Sequence, residues 1–448
     1  MASRQGNREP RRILKPDLFM AVAFWMEQSP LAERPSDFIK HSSSPSINSS
    51  GAVMVLPNDR ALSVDSSHGG VHSAVHAINK FGQERVKGCN VYVSRRPCSS
   101  CAKLLVQCEV AKVFYLPIEP ELDDEEDAAR VDAMFLSSKS GLSIKIPKID
   151  DMIFQDRRES PYRENTASLS EDARQFVSDL LTKYWNEEWI NKAQRALRWQ
   201  AFDGLKDQIK EDIQNFFKWI AHTTVVDVPG GICFEAVKKT QTGVDYHVSR
   251  PTESPPKTQH SPIQEGISPS QDNKHTGAPA PDSDQWQLVA LHTSRLAQML
   301  SQRSDDPTRG VGCVLMIRSR EIVAIGWNGF PAKALYGEFP RASESDEARL
   351  KKEPYVIHAE QNALLTRNKR NLKGKWPVLF INEVPCGQCL PLLKQSGVNT
   401  FVIPKINANP GASQGQLRLV LEKNFDCFGY KHTRRNREVE KVSKQLEF

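Results

Sequence analysis

One pattern occurs twice in this chain and limits its possible folds more than any other feature. His72 is followed 26 positions later by Cys98 in Pro97-Cys98-Ser99-Ser100-Cys101, and His358 is followed 28 positions later by Cys386 in Pro385-Cys386-Gly387-Gln388-Cys389. After His358 the apolar residues Ala363, Leu364 and Leu365 predict a buried helix, and Pro377 to Ile381 reads as a strand. Cys386 and Cys389 then lead into a second helical run at Leu390, Leu392 and Leu393. The first copy has the same order, with Gly70 to Asn79, the strand Val91-Tyr92-Val93 and the run from Cys101 to Leu105. Helix, strand, turn and helix therefore recur, and the chain reads as an internal duplication.

The residue types point to zinc. One imidazole nitrogen and two sulfurs are one ligand short of a closed tetrahedral site, which leaves a position for water. Water at such a position ionises at a pKa of roughly 7 rather than about 16, so a nucleophile is available without strong base. Glu360, two residues after His358, is not needed as a ligand and is placed to move protons as a general acid and base. Cysteines in the first turn of a helix meet its positive end, which favours thiolate. A structural zinc site is the competing reading, because Cys-x-x-Cys also serves redox pairs and zinc ribbons. Such a site ordinarily brings a fourth Cys or His, and none lies close by in sequence. The first copy keeps the ligand types at His72, Cys98 and Cys101 but has Ala74 where the second has Glu360. Alanine cannot shuttle a proton, and His76, one helical turn after His72, should point along the helix. The first copy is therefore expected to bind zinc for stability, without turnover.

The rest of the chain sorts around these two units. Its 448 residues allow two or three domains, and the net charge of +6 is mild. Aromatics are not interleaved with basic residues, so nucleic-acid binding is not implied. Nine cysteines including two Cys-x-x-Cys pairs suit a reducing compartment better than a disulfide framework. No apolar run is long enough to span a membrane and no secretory segment is visible, so a soluble, cytoplasmic protein is expected. Residues 1–13 read as a disordered basic arm and 14–150 as the first unit of the repeat. Within it, Leu18 to Met26 predicts an amphipathic helix, Val53 to Val64 a hairpin, and the acidic run from Glu119 to Asp127 a solvated loop edge. Residues 151–240 read as a helical extension, with apolar positions from Ala173 to Trp185 and from Leu205 to Ile220 serving as core between domains. Ser168 to Glu171 has the form of a capping box. Residues 241–284, rich in Pro, Ser, Gln and Thr, read as a disordered linker. The second unit spans 285–430 and a basic tail 431–448. Lys431 to Arg437 offers a nuclear-import signal as an alternative to a solvated tail.

Trp286 to Leu300, Ser304 to Leu315 and the Trp327-Asn328-Gly329 turn, together with the zinc motif, resemble the deoxycytidylate deaminase branch of the cytidine deaminase superfamily. The resemblance is strong over about residues 286 to 405 and weaker over about 15 to 118. A first copy lacking the glutamate resembles a two-domain vertebrate member. The resemblance implies an α/β fold with two α/β/α domains, each a mixed five-stranded sheet flanked by helices. It implies His358, Cys386 and Cys389 as Zn2+ ligands and Glu360 as general acid and base. It also implies Asn328 against the deoxyribose and the backbone at Ala359 against the pyrimidine edge. Arg303, Lys333 and Arg341 are candidates for phosphate, each with a solvent-exposed charge as the plain alternative. A homo-oligomer and a deoxynucleoside triphosphate regulator are implied as well.

Three functions compete on the sequence. The favoured one is hydrolytic deamination of a free deoxycytidine nucleotide, dCMP or dCTP, to the deoxyuridine nucleotide. Deamination of a base in RNA or single-stranded DNA uses the same zinc signature. The 30 residues from Asn328 to His358 resemble the free-nucleotide branch instead. A non-enzymatic nucleotide sensor suits the first copy taken alone. Nothing in the sequence fixes the phosphate count.

Overall fold

The computed structural model describes residues 12–33, 48–149, 171–224, 233–234, 284–318, 320–331, 338–340, 351–398, 400–404 and 426–431. The linker, the capping-box serines and nearly all of the basic tail lie outside these.

The first unit runs α1 (Lys15–Glu27), β1 (Gly51–Val55), β2 (Ala61–Ser66), α2 (Ser73–Val86), β3 (Asn90–Val93), α3 (Ser99–Gln107), β4 (Lys112–Tyr115), α4 (Glu125–Leu136) and β5 (Gly141–Ile144). Its sheet has the order β2-β1-β3-β4-β5. The β1–β2 and β1–β3 pairs are antiparallel, and β3–β4 and β4–β5 are parallel. Three helices follow, α5 (Glu171–Tyr184), α6 (Glu187–Ala196) and α7 (Phe202–Thr224), and then the two-residue strand β6 (Cys233–Phe234).

The second unit repeats the plan with α8 (Asp284–Ser301), β7 (Gly312–Met316), β8 (Ile322–Trp327), α9 (Ala359–Thr366), β9 (Val378–Ile381), α10 (Cys389–Gln395), β10 (Thr400–Pro404) and β11 (Asp426–Lys431). The sheet order is β8-β7-β9-β10-β11, with β6 added beyond β11 as a sixth strand. Pairing again runs antiparallel for β7–β8 and β7–β9 and parallel for β9–β10 and β10–β11. Both hairpins slip register one residue from the end of the inner strand, at Met54/Val55 and at Leu315/Met316. The duplication thus extends to a bulge, a feature that bends a strand locally.

A close helix–strand approach is shared as well. A Cβ at Gly51 would stand 2.1 Å from the Ala23 carbonyl oxygen of α1, and one at Gly312 would stand 2.1 Å from the Ala297 carbonyl oxygen of α8. Only glycine lets either helix lie this near its central strand.

One buried cluster runs through both units, and the second unit has a further cluster of its own between its sheet and α9 and α10. Helix α1, expected to be amphipathic, is buried along its whole length from Asp17 to Glu27, because the sheet covers one side and helices cover the other. Phe24 packs on Tyr184, Phe216 and Phe217, with ring centroids 5.0, 5.5 and 5.3 Å apart, so the aromatic residues of α5 and α7 do form interior. Trp25 stacks on His292 of α8 at 4.8 Å and donates its indole N–H to the His292 carbonyl at 3.1 Å. Asn368 donates to the Leu62 carbonyl of β2 at 3.1 Å. At the expected boundaries, Ile13 is fully buried, Arg12 pairs with Asp305 of the second unit at 2.8 Å, and Lys431 is the last residue of β11.

Candidate metal centres and active site

His358 caps α9, and its backbone N–H donates to Oε1 of Gln361 at 3.0 Å, which fixes the start of the helix. The imidazole Nδ1 stands 3.2 Å from the Cys386 sulfur and 3.4 Å from the Cys389 sulfur. Tetrahedral zinc requires N···S separations of roughly 3.6 Å, given bonds of about 2.0 and 2.3 Å. The three donors therefore fit a zinc ion, and together they form one of two clusters suited to a metal among the described residues. Their own electrostatics favour a cation. The Cys386 thiol is drawn down to about 4, chiefly by the hydrogen bond from the Cys389 thiol and then by His358.

Glu360, on the first turn of α9, is 3% exposed. Burial pushes its carboxyl up to about 7, and the neighbouring His358 opposes that rise. Glycine again makes room. A Cβ at Gly326 of β8 would stand 2.3 Å from the Ala359 carbonyl oxygen, so α9 sits directly on the strand end that leads into Asn328.

The loops beside the site are clipped by two asparagines. Asn328 accepts from the Val311 N–H at 2.8 Å and donates to the Arg309 carbonyl at 2.9 Å, while Asn382 accepts from Gly312 N–H at 2.8 Å and donates to the Gly310 carbonyl at 3.1 Å. The Asn328 amide, read from sequence as a sugar contact, is therefore also a loop latch, with one N–H left over. Asp306 accepts from the Thr308 and Arg309 backbone N–H groups at 2.8 and 3.0 Å and pairs with the buried Lys352. That pair was missed in the sequence, since charges in a polar loop carry no periodic signal. Arg303 is half-buried and within electrostatic reach of Lys15 of the first unit. Lys333 and Arg341 lie outside the described residues.

In the first unit His72 caps α2 and Cys98 caps α3. His72 Nδ1 stands 3.2 Å from the Cys101 sulfur and 3.6 Å from the Cys98 sulfur, so the three expected donors converge. Ala74 is fully buried where a base would stand. Glu121 joins the cluster, and this corrects the reading of residues 119–127 as a solvated edge: Glu121 is 0% and Asp127 3% exposed. Burial works against a charged His72, but the Glu121 carboxylate and Cys98 override it and lift the imidazole to about 9.

The profile of the cytidine and deoxycytidylate deaminase zinc-binding region matches residues 289–405, and that of the MafB19-like deaminases matches residues 55–145. The zebrafish cytidine and dCMP deaminase domain-containing protein 1 is 22% identical over 425 residues, covering 89% of this chain and 85% of that one. The deoxycytidylate deaminase of Mycobacterium phage D29 is 31% identical over 134 residues, which cover 28% of this chain and 96% of the phage enzyme. Of the probable deoxycytidylate deaminase of Drosophila melanogaster, 34% identical, the chain spans 56%. The crystal structure of dCMP deaminase from the cyanophage S-TIM5 with dCMP and dUMP superposes on 30% of this chain and 92% of its own, at 23% identity and a TM-score of 0.24. Since the phage D29 enzyme is matched over almost its entire length, and the zinc-binding region falls on the unit that holds His358 and Glu360, this chain belongs to the cytidine and deoxycytidylate deaminase family, whose cofactor is zinc.

Proposed function

We propose that the second unit deaminates a free deoxycytidine nucleotide by hydrolysis, giving the deoxyuridine nucleotide and ammonia. The observation that carries this reading is a buried carboxylate, Glu360, beside three donors that leave one position of a tetrahedron open. Zinc, held by His358, Cys386 and Cys389, supplies the Lewis acidity that makes water nucleophilic near neutral pH. Glu360 takes one proton of the attacking water and delivers it to ring N3, then takes the remaining proton from the new C4 hydroxyl and passes it to the departing amine. Water adds to C4, the C4–N bond breaks, and ammonia leaves. Burial suits this double duty, because a carboxyl near 7 both accepts and gives protons readily. A bound cation pulls that value down, toward the base form needed first.

Asn328 and the backbone at Ala359 would orient the sugar and the pyrimidine, while Arg303, Lys333 and Arg341 remain our candidates for phosphate. Support for a deoxycytidylate comes from the names of the relatives. The first unit, with Ala74 in place of the base, is proposed to be pseudo-catalytic. Assembly as a homo-oligomer, control by a deoxynucleoside triphosphate, and a cytoplasmic or nuclear location belong to the same proposal. No helix among the described residues is long and apolar enough to cross a membrane.

The test is ammonia release, with product identification, from zinc-loaded full-length protein. The substrates are deoxycytidine, its mono-, di- and triphosphates, the ribose counterparts and a cytosine-containing single strand. Turnover of one free deoxynucleotide supports the proposal and counts its phosphates. Turnover of the strand alone overturns it.

A further inference from the structure

We propose that Glu121 is the fourth ligand of the first unit's metal centre, which makes that centre a closed, coordinatively saturated zinc site. The donor atoms of His72, Cys98, Cys101 and Glu121 all lie within 4.8 Å of one another. Glu121 Oε2 is 3.1 Å from His72 Nδ1, and the two sulfurs are 3.6 Å apart. With His72 Nδ1 at 3.2 and 3.6 Å from the sulfurs, four edges of a polyhedron are known. Zinc with bonds of about 2.0 Å to N and O and about 2.3 Å to S demands tetrahedral edges of roughly 3.3 Å for N···O, 3.6 Å for N···S and 3.8 Å for S···S. Each of these four edges agrees within about 0.4 Å of that requirement, and the two from Glu121 to the sulfurs lie within the 4.8 Å limit.

The carboxylate is delivered and held deliberately. Glu121 lies in the loop after β4, where its N–H donates to the Arg96 carbonyl at 2.9 Å and its carbonyl accepts from the Asn48 N–H at 2.9 Å. One oxygen, Oε1, accepts from the Ser50 hydroxyl at 2.7 Å, and Oε2 accepts from the Cys98 N–H at 3.0 Å while facing the cluster. The whole group is dry, with Glu121 0%, Cys101 2%, Cys98 7% and His72 9% exposed. A carboxylate without water is costly to bury unless a cation compensates it. In the second unit no fourth acid joins His358, Cys386 and Cys389 among the described residues. The open position there is filled here, so the first unit is inert on two counts: it lacks a base at Ala74 and it has no place for water. The ion instead ties together α2, the turn before α3 and the loop after β4.

Two measurements on the full-length chain test this. In a Cys386→Ser background, which removes the second site, zinc affinity is measured by chelator competition with and without Glu121→Gln. Glutamine keeps the size, its one carbonyl oxygen still accepts from the Cys98 N–H and its NH2 donates to the Ser50 hydroxyl, which turns to accept, so a ligand role predicts a fall of at least tenfold, whereas unchanged affinity overturns it. The second needs no variant: an anomalous difference map at the zinc edge from crystals of zinc-loaded protein. A peak within about 2.2 Å of a Glu121 oxygen is expected. A water as fourth neighbour with Glu121 beyond 3 Å, or no peak among the four residues, overturns the proposal and separates a ligand from a hydrogen-bonding partner of Cys98.

Discussion

Replacing Gly312 with alanine tests the close packing that positions both units. The new Cβ would stand 2.1 Å from the Ala297 carbonyl oxygen, 2.6 Å from the Ser301 nitrogen and 3.0 Å from the Leu300 carbonyl carbon, all of them backbone. No side-chain rotation relieves such a contact, so α8 must lift from β7 by about 1 Å or more, and close-packed interiors transmit that strain. Overpacking costs about 1–3 kcal/mol, and the backbone nature of every neighbour puts this case at the upper end, about 3 kcal/mol. For a domain of this size each kcal/mol lowers Tm by about 2–4 °C, so a fall of about 6–12 °C is expected by differential scanning calorimetry. Gly51→Ala should behave alike, with its Cβ 2.1 Å from the Ala23 oxygen and 2.5 Å from the Glu27 nitrogen. Gly204→Ala, in α7 with nothing within 4 Å, should instead raise stability by up to about 1 kcal/mol. A Gly312→Ala protein melting within about 1 °C of wild type would refute the helix–strand spacing.

Other outcomes follow from buried charge and metal. His292, stacked on Trp25, is held at about 3 by burial, with Arg295 adding to the effect. The unfolded imidazole titrates near 6.5, so the unfolded chain binds the extra proton between those values. Stability is then full above about pH 6.5 and declines as pH falls, by up to about 1.4 kcal/mol per unit. His292→Gln should flatten that decline in urea midpoints taken from pH 7 to 5, and equal slopes would count against it. Burial works to raise the Asp306 carboxyl, but Lys352 and two backbone N–H groups overcome it and hold it below its usual value. That contribution is present above about pH 3.9 and is lost as pH falls through the lowered value. Lys352→Met leaves the Asp306 carboxylate buried without its cation, held only by the Thr308 and Arg309 donors, and a loss of about 3 kcal/mol in chemical denaturation is expected. Cys98→Ala should lower zinc content by one ion per chain and reduce Tm, while turnover at permissive temperature persists in the second unit.

What the sequence disclosed was whatever is written in local spacing. His358, Glu360, Cys386 and Cys389 sit at or just before helix starts reached within a few tens of residues, and the short apolar runs around Val53 and Val314 mark the inner hairpin strands. Glu121 escaped notice because an acidic run looks solvated until tertiary packing buries one of its members against Ser50 and Cys98. Helix α1 looked one-sided because its second covering layer, α5 and α7, arrives from 150 residues downstream. The Asp306–Lys352 pair likewise joins two polar loops whose meeting no periodicity encodes.

The most direct measurement is zinc content and turnover on one and the same preparation of Glu360→Ala, beside wild type, with the best free deoxycytidine nucleotide. The account predicts that zinc stays bound while turnover falls by about 10²–10⁴-fold or more, since a positioned general acid and base is worth that much. Near-normal ammonia release from the zinc-loaded variant would contradict it.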